Sequence, residues 1–466
     1  MLRLKNFALV LAAGASALAL AGIGAGASQA QTLEETLALA YDSNPTLQAE
    51  RARLRATDEG RVQAQAGRLP SVSASASISR SHSEGESFSQ INNSTNSFES
   101  DATPKNYSLS ASQPIYRGGR IDGAIDQATA VVMAGRETLR ATEQTVLVDA
   151  VTAFMDVRRD NNVIEIRQNN VEVLSQQLRA AQDRFEVGEI TRTDVSQAEA
   201  RLSAAQTQLS AAQAQLGASR AAYERVTGQP AASLSEPPAL PPLPDNLADA
   251  AEFAFDNSPQ LLAARYGEEA AQHAIRIARG ALRPEVSLTA SASSARDSNF
   301  SGDVRDSTSI MGQVSVPIFT GGLNRSRVRA AVAQEEQARF QVREARRQVT
   351  EAVTNAWYSY VASLAVIESS RQAVLANEIA LDGVQQEAFV GIRTTLDVLN
   401  AEQELLESRL TFVTAERDSF VAGYRLLQAM GLASAERLGL NVDIYDPAAG
   451  DSRESRFPNL DLTPWD

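Results

Sequence analysis

The sequence predicts a mixed α and β chain in which a repeat of helix, β-hairpin and long helix occurs twice. Three observations lead to this fold class. The two halves of the chain align with each other, each half contains short runs that alternate apolar residues with serine, and each half continues into a long stretch without proline. We therefore expect two strands from each half and four strands from the whole chain.

The composition excludes several classes of function. The 466 residues include no cysteine and two histidines, and the formal net charge is −14. A chain without thiols has no disulfide framework, and it offers little to a soft-metal site or to thiol catalysis. An acidic protein also does not suit the phosphates of nucleic acid. We expect a protein that is not an enzyme, holds no cofactor or metal and binds no nucleic acid.

Residues 1–30 have the pattern of a secretory signal peptide. Arg3 and Lys5 form a basic start, an apolar segment rich in small residues follows, and Ser28-Gln29-Ala30 offers a cleavage site. An uncleaved membrane anchor is the alternative, but the alanine and glycine of this segment drive insertion only weakly. No run of 18 apolar residues occurs after residue 30, so we expect an exported chain that enters a membrane, if at all, as β-strands.

An internal duplication organises the rest of the chain. Leu33–Pro70 aligns without gaps with Leu247–Pro284, and Pro114–Gly119 aligns with Pro317–Gly322. The offset falls from 214 to 203 between these matches, so one segment of the first copy is eleven residues longer than its counterpart. A segment with six prolines joins the copies and is typical of an extended linker. The expected organisation is a signal peptide (1–30), a first repeat (31–228), a linker (229–246), a second repeat (247–440) and an acidic, partly disordered tail (441–466).

Each copy starts with a predicted helix, at about 33–67 or 247–281, and continues into two alternating runs joined by a polar loop. In the first run Val72, Ala74 and Ala76 share one face, and the intervening serines share the other. A solvent-facing hairpin and a membrane-spanning hairpin both fit this alternation. The period of two predicts four strands, at about 71–80, 107–114, 285–294 and 309–317.

A very long helix is predicted after the Gly-Gly pair in each copy. Proline is absent from Arg120 to Val187 and from Leu323 to Val390, and either stretch spans roughly 100 Å as an unbroken helix. A free-standing antiparallel coiled coil would explain these helices but would leave the strands unexplained. A turn at Gly188 or Gly391 starts a returning helix, and the first of these has the seven-residue repeat of a left-handed coiled coil at Leu202, Leu209, Leu216 and Tyr223.

Four strands are too few to close a barrel. Open strand edges cannot lie in lipid, because their N–H and C=O groups would stay unpaired. If the strands span a membrane, several chains must combine them, and the long helices attached to each strand pair then extend the same wall away from the membrane. The sequence therefore predicts an oligomeric tube in which a short β-barrel is continued by a long helical barrel.

The repeated order of helix, hairpin, Pro-Ile-aromatic-x-Gly-Gly, long helix, glycine turn and returning helix resembles the outer-membrane efflux proteins of the TolC type. The motifs at the two turns, residues 187–195 and 390–399, are specific to this family, and the resemblance covers about Leu33 to Leu440. It implies a homotrimer with a twelve-stranded transmembrane β-barrel in the outer membrane and a periplasmic α-helical barrel. It also implies three kinds of partner: a periplasmic adaptor, an inner-membrane transporter of the ABC or RND type, and outer-membrane lipid.

The function that the resemblance implies is a channel-tunnel gated at its periplasmic helix tips. Such a channel carries substrates from the transporter and adaptor to the cell exterior, in type I protein secretion, in small-molecule efflux or in both. One alternative is a periplasmic coiled-coil scaffold or adaptor without a pore, which needs no alternating strands. A constitutive diffusion porin is another, and it needs no long helices.

The resemblance also implies a gate built from residues near the two turns. Asp397 matches a carboxylate that faces the pore, and Asn400 stands where the prototype has a second aspartate. Arg393 matches an arginine that holds the tip closed, with Asp194 and Thr193 as its expected partners. The aspartates serve equally well as helix N-caps, and Arg393 as a solvated surface charge.

The two turns match the surface that meets adaptor hairpins in the family. This match makes four residues candidates for docking, namely Gly188, Thr191, Gly391 and Thr394. Turn geometry alone also accounts for the two glycines.

Ala388 replaces the prototype's gate tyrosine, so we expect one closing hydrogen bond to be missing.

Overall fold

The computed structural model of the chain describes residues 30–91, 93–298 and 302–448. Residues 1–29 of the predicted signal peptide and residues 449–466 of the predicted tail lie outside the described residues. Within these ranges the chain forms eight helices and six strands: α1 (Leu33–Ser43), α2 (Pro45–Ala66), β1 (Ser71–Ile78), β2 (Ser81–Ser89), β3 (Ser94–Ala102), β4 (Lys105–Arg117), α3 (Arg120–Glu186), α4 (Arg192–Thr227), α5 (Leu247–Asn257), α6 (Pro259–Gly280), β5 (Glu285–Arg296), β6 (Val304–Ser315), α7 (Leu323–Phe389) and α8 (Thr395–Ala429).

The single helix expected at the start of each copy is a pair of helices. In the first copy Asn44 separates α1 from α2, because the proline that follows restricts it to extended backbone, with ψ of 121°. The side-chain oxygen of Asn44 then accepts a hydrogen bond from Thr46 N at 2.9 Å and caps α2. Ser258, with ψ of 118° before Pro259, breaks the second copy at the same place but makes no side-chain cap. The prediction of one continuous helix is wrong at these two points.

The four expected strands form one antiparallel sheet in the order β1-β4-β5-β6, so the central pair joins the two copies of the repeat. The pairing registers bring like residues together, since Ala74 lies opposite Leu109 and Leu109 lies opposite Ala292. Most apolar residues of the four strands therefore share one face, although Met311 of β6 lies opposite Thr289 on the other. Serines share the other face, where the hydroxyl oxygens of Ser75 and Ser108 are 2.7 Å apart.

The polar loop expected between the first two strands is a second β-hairpin. β2 and β3 pair with each other and form a separate two-stranded sheet. The first copy is longer here, because residues 79–104 connect β1 to β4 whereas residues 297–303 connect β5 to β6. β4 also continues past Pro114 to Arg117 across a bulge. β1 pairs with β4 only as far as Ser112, so Pro114 has a partner strand on one side alone, opposite Ser287 of β5, as is typical of proline at an edge or a bulge.

Two long helical hairpins extend from the strands. α3 and α7 contain 67 residues each, about 100 Å of helix, and each packs along the shorter helix that follows it. α3 also packs against α6 and α8 of the second copy. The helices of the wall therefore follow the order α4, α3, α8, α7. None of the helices in the described ranges combines the length and the apolar character that a membrane-crossing helix needs.

The main hydrophobic core lies where the hairpins meet the short helices. Tyr41 of α1, Phe154 of α3, Tyr223 of α4 and Leu426 of α8 are all buried there. The hydroxyl groups of Tyr223 and Thr36 are 2.9 Å apart, so each polar group is satisfied in this buried place. The core therefore fixes the two copies of the repeat against each other well away from the tips.

The proline-rich linker packs on this core. Leu240 contacts Gly423 of α8 so closely that a Cβ atom on the glycine would lie 2.9 Å from the leucine methyl groups. The described start of the tail also packs against the core, because Tyr445 N donates a hydrogen bond to Tyr41 Oη at 3.0 Å. The guanidinium group of Arg51 lies over both tyrosine rings. Linker and tail together cover the junction of the two copies.

Small residues bring the helices together nearer the tips. Ala198, Ala205 and Ala212 lie seven residues apart on α4 and are buried. Leu174 of α3 and Leu399 of α8 join Ala205 in a second, smaller apolar cluster, which we call the tip cluster. The predicted leucine repeat is buried unevenly: Leu216 and Tyr223 are buried, and Leu202 and Leu209 are half-buried.

Candidate functional site

Two tight turns form the tips of the helical hairpins. Gly188 follows α3 with φ of +82°, and Gly391 follows α7 with φ of +84°, a backbone region that favours glycine. The space where a Cβ would lie is open at both positions, so the backbone angle alone explains the two glycines. Each turn is closed by the hydrogen bond typical of a Schellman motif, from Glu189 N to Arg184 O (2.9 Å) and from Ile392 N to Glu387 O (3.0 Å).

A capping box starts the returning helix at each tip. Thr191 is the N-cap of α4, and its backbone N–H and hydroxyl group donate to Asp194 Oδ2 at 2.9 and 2.8 Å. Thr394 and Asp397 repeat the arrangement at the start of α8, with the same two distances. The N-cap role that the pattern allowed for the aspartates therefore belongs to the threonines, and each aspartate occupies the third helical position.

The capping boxes keep both aspartates ionised. The side chain and backbone of Thr191 lower the pKa of Asp194 by donating hydrogen bonds to its carboxylate. The backbone and side chain of Thr394 lower the pKa of Asp397 in the same way, and the nearby charge of Arg393 adds a smaller effect. Because a helix N-terminus also favours negative charge, each tip presents a fixed carboxylate at the start of its returning helix.

Arg393 does not contact its expected partners within the chain. Its Nε donates to Glu387 Oε2 at 2.8 Å, and this contact raises the pKa of the arginine further. Within the single chain Arg393 meets Glu387 because the two residues flank the same turn, and the contact with Asp194 and Thr193 of a neighbouring hairpin stays a prediction. Both side chains are about half-exposed, so this ion pair contributes little to stability.

The first tip carries an ion pair of reversed polarity. Arg184 precedes its turn glycine and Glu189 follows it, with 3.2 Å between Nε and Oε2. At the second tip the acid, Glu387, precedes the glycine and the base, Arg393, follows it. The family's gate residues do not include these two ion pairs. The opposite charges on the two sides of each turn are nevertheless visible in the sequence.

The remaining predicted gate residues differ in what they contact. Asn400 Oδ1 accepts a hydrogen bond from Arg201 Nη2 at 3.0 Å, which links α8 to α4. Thr193 is exposed at the second position of α4. Ala388 is half-buried, and its carbonyl oxygen accepts a hydrogen bond from Gly391 N at 3.1 Å. The structure thus gives Asn400 a role in joining the hairpins that its position in the motif did not reveal.

A buried carboxylate that the sequence does not predict lies near the tips. Glu402 of α8 is 7% exposed, and Gln177 of α3 donates a hydrogen bond to it. Burial raises the pKa of Glu402 to about 7. No sequence signal distinguishes Glu402 from a solvated glutamate, because burial here depends on how α8 rotates against a helix that lies more than 200 residues earlier.

One group of side chains in the described part of the chain has the spacing of metal ligands. His82, Glu99 and Asp101 of the β2–β3 hairpin have ligand atoms within 4.8 Å of one another, and all three residues are exposed. The ring nitrogens of His82 also lie 3.0 Å from oxygens of Asp101 and Glu84, and these contacts raise the pKa of the histidine. One contact within the group, between His82 and Asp101, and one contact outside it, with Glu84, hold the imidazole ring in place.

Comparisons with known proteins agree on one family. A family model described as outer membrane efflux protein matches residues 36–229 and 251–432. The outer membrane efflux protein BepC of Brucella suis is 35% identical over 418 residues, 89% of each chain. The alkaline protease secretion protein AprF of Pseudomonas aeruginosa is 26% identical over 400 residues, 83% of this chain and 82% of AprF. The crystal structure of the outer membrane protein VceC from Vibrio cholerae has a TM-score of 0.71 at 23% identity, over 86% of this chain and 96% of VceC.

The family match and the fold agree with what the sequence predicts. The matched ranges fall on the two copies of the repeat, and the likeness to VceC covers 86% of the chain. The predicted family, the fold class of long helices with a repeated strand pair, and an outer-membrane protein with a periplasmic helical part are confirmed. Proteins of this family are channels and not enzymes. The chain belongs to the outer membrane efflux protein family.

Proposed function

We propose that three copies of this chain form a gated outer-membrane channel-tunnel. It carries substrates from an inner-membrane transporter and a periplasmic adaptor to the cell exterior. The observation that supports this proposal best is that the contacts between the two copies of the repeat have no counterpart within the chain. The three extensive contacts of this kind in the described chain are between β4 and β5, between α3 and α6, and between α3 and α8.

The missing counterparts define one continuous interface. The repeat relates the three contacts to pairs β6–β1, α7–α2 and α7–α4. β1 and β6 are instead the two unpaired edges of the sheet, and neither helix pair forms an extensive contact in the described chain. A second chain supplies all three contacts together when it is placed by applying twice the rotation that relates the two copies, because a single step would put its first copy on the second copy of the first chain. Such a head-to-tail interface closes into a ring when the rotation is an integral fraction of a turn.

Side chains on the free side of α7 support the same interface. Met155 of α3 is 5% exposed, whereas its counterpart in the repeat, Tyr358 of α7, is 62% exposed. A run of exposed apolar side chains of this kind is typical of a surface that another chain covers. The other members of this surface are Val332, Phe340, Val361 and Leu364.

Three chains with four sheet strands each give the twelve strands that the family resemblance implies. In a closed barrel one face of every strand meets lipid and the other faces the interior. The sheet has the required two faces, one with Ala74 and Leu109 and one with the paired serines. We assign the apolar face to lipid and the serine face to the interior, which leaves a polar lining for passing substrates.

The proposed gate is electrostatic. A ring of three chains has three carboxylates from Asp397, and the neutral Asn400 adds none. Because its capping box keeps Asp397 ionised, the entrance attracts cations. Arg393 is proposed to hold the tips closed by exchanging Glu387 for Asp194 and Thr193 of an adjacent hairpin.

The partners are proposed from the family and from the turn motifs. Gly188, Thr191, Gly391 and Thr394 are the proposed docking residues for adaptor hairpins, because they form the exposed ends of the helical hairpins. The transporter is of the ABC or RND type. BepC is named for efflux and AprF for protease secretion, so both small molecules and a secreted protein are proposed as cargo.

Single-channel conductance in planar bilayers tests the proposal. We expect discrete, mostly small steps from oligomeric protein purified from outer membranes. Arg393→Ser should increase the open probability, whereas Arg184→Ser, which removes the ion pair of the other tip, serves as the matched control. An unchanged trace for Arg393→Ser would exclude this arginine from the gate. Folded, oligomeric protein that gives no steps would favour the scaffold without a pore.

A further inference from the structure

A buried polar pair joins the two helical hairpins near the tips. Glu402 of α8 packs beside the tip cluster, and Gln177 of α3 donates from Nε2 to Glu402 Oε1. Gln177 precedes Gly188 by eleven residues, and Glu402 follows Gly391 by eleven residues. The pair therefore lies about three helical turns from both tips, between one hairpin and the other.

One hydrogen bond leaves two buried oxygen atoms without a donor. Glu402 Oε2 and Gln177 Oε1 are both buried and have no hydrogen-bond partner. A buried acceptor without a donor costs free energy, because it has given up water and gained nothing in exchange. Both atoms are acceptors, so no rotation of the ionised carboxylate satisfies them.

One proton would satisfy both atoms. When Glu402 takes a proton from solvent on Oε2, that oxygen becomes a donor, and Gln177 Oε1 is an unsatisfied acceptor on the side chain that already bonds to the other carboxylate oxygen. The acid and the amide then form two reciprocal hydrogen bonds and carry no charge. When the proton leaves, one hydrogen bond and a buried negative charge remain.

We propose that the Gln177–Glu402 pair is a pH-sensitive contact that holds the two helical hairpins together near the tips while Glu402 carries a proton, and that loss of the proton releases them. This inference rests on the proposed function only in assigning the separation of the hairpins to opening of the gate. The contact itself follows from the pair and its unsatisfied oxygens.

The charged surroundings do not supply another partner for Glu402. A cleft of about 200 Å³ beside the pair is lined by α3, α4 and α8. Arg201 of α4 lines it but donates to Asn400, and Glu407 of α8 lines it and accepts from Gln403. The lining residues from α3 are uncharged. Burial against neutral groups is consequently the main reason that the pKa of Glu402 rises to about 7.

The direction of the pH effect follows from this pKa. In separated hairpins Glu402 is solvated and its pKa returns to about 4.5, so the packed state binds the proton more tightly. The stabilisation of the packed state is complete below pH 4.5 and is lost as pH rises through about 7. With these two values, the ratio of separated to packed hairpins rises about tenfold per pair between pH 6 and pH 8.

The duplicated chain supplies a matched control. The counterpart of Glu402 in the first copy is Glu199, which is exposed in the single chain, and the counterpart of Gln177 in the second copy is Ala380. The equivalent pair therefore cannot form between α7 and α4 of neighbouring chains. Glu199→Gln removes the same charge at the same place in the repeat without touching the pair.

The test measures the spacing of the hairpins directly. Because the chain has no cysteine, spin labels can be attached at Ser196→Cys and Ile392→Cys, two exposed positions on different hairpins. Double electron–electron resonance of the full-length oligomer should show longer distances between the two labels at pH 8 than at pH 6. Glu402→Gln keeps both hydrogen bonds without a charge, so it should hold the short distances at both pH values. Glu199→Gln should behave like the parent protein.

Two outcomes would overturn the contact. One is that Glu402→Gln shows the same increase in label distance from pH 6 to pH 8 as the parent protein. The other is an infrared carboxylic acid band, assigned by its absence from Glu402→Gln, that titrates near pH 4.5 instead of near pH 7. Bilayer conductance separates this inference from the proposed function. Hairpin spacing that depends on pH in a protein without any conductance would refute the channel and support the contact. Conductance steps whose pH response is the same in Glu402→Gln as in the parent protein would support the channel and refute the contact.

Discussion

Replacing Thr394 with valine would separate two roles that meet at Asp397. The hydroxyl group of Thr394 donates to Asp397 Oδ2 at 2.8 Å and accepts from Asp397 N at 3.3 Å, so it closes the capping box at the start of α8. Valine has nearly the same shape and makes neither bond. The carboxylate stays in place and still accepts from the backbone N–H of residue 394. The charge of Asp397 is thus retained while the cap is lost.

The expected cost is that of an N-cap, about 1 kcal/mol. Since the box lies at an exposed helix end, this cost should appear as local fraying and not as global unfolding. A difference of about 1 kcal/mol corresponds to about a fivefold increase in opening of the first turn of α8. The matched Asp397→Asn keeps an oxygen that accepts both bonds from Thr394 but removes the charge, so it should lower cation selectivity and leave the turn closed.

Amide hydrogen exchange at residues 395–398 and the reversal potential in a salt gradient measure the two roles. Thr395→Val, at the first position of α8 between the two residues of the box, is the control for both measurements because the hydroxyl group of Thr395 takes no part in the box. Unchanged exchange in Thr394→Val would refute the cap, and unchanged selectivity in Asp397→Asn would refute the carboxylate ring. The pKa of Asp397 is lowered in the fold, so the stabilisation by the box is present above about pH 3.8 and lost as pH falls through the lowered value.

Two further predictions concern the core and the interface. Ser219→Ala removes the hydroxyl group that donates to the buried Asp160 at 2.6 Å. The free energy of unfolding, measured by thermal or chemical denaturation, should therefore fall by about 1–3 kcal/mol. A loss equal to that caused by Ser210→Ala, at an exposed position on the same helix, would contradict this. Tyr358→Glu should dissociate the oligomer in native mass spectrometry because it buries a charge in the proposed interface, and an oligomer as stable as that of Phe88→Glu, on the β2–β3 hairpin, would count against the ring.

Local signals made much of the fold predictable. Glycine at 188 and 391 marked the tips because both turns need positive φ, and strict alternation set the sheet register, since Ala74 had to share a face with Leu109. The β2–β3 hairpin was missed because its residues are polar on both faces and give no period of two. Pro45 marks a helix boundary in the sequence, but the helical pattern on both sides of it favoured one continuous helix.

Contacts between distant helices were not predictable in this way. The family resemblance gave Arg393 a partner on the other hairpin, but in the single chain Arg393 contacts Glu387, which lies only six residues away. Gln177 and Glu402 are separated by 225 residues, and their meeting depends on the rotation of two helices that pack through small side chains. Small residues permit many rotations, so the seven-residue pattern predicts that the helices pack but not which polar residues they bring together.

The duplication gives the proposed ring two kinds of boundary between hairpins. One kind lies within a chain, between α3 and α8, and contains the Gln177–Glu402 pair. The other lies between chains, between α7 and α4, where the corresponding residues are Ala380 and Glu199. A ring made from six identical hairpins would have to change all of its boundaries at once. Two unequal copies in one gene allow three boundaries to respond to protons while the other three remain free to respond to something else, such as the arrival of a partner.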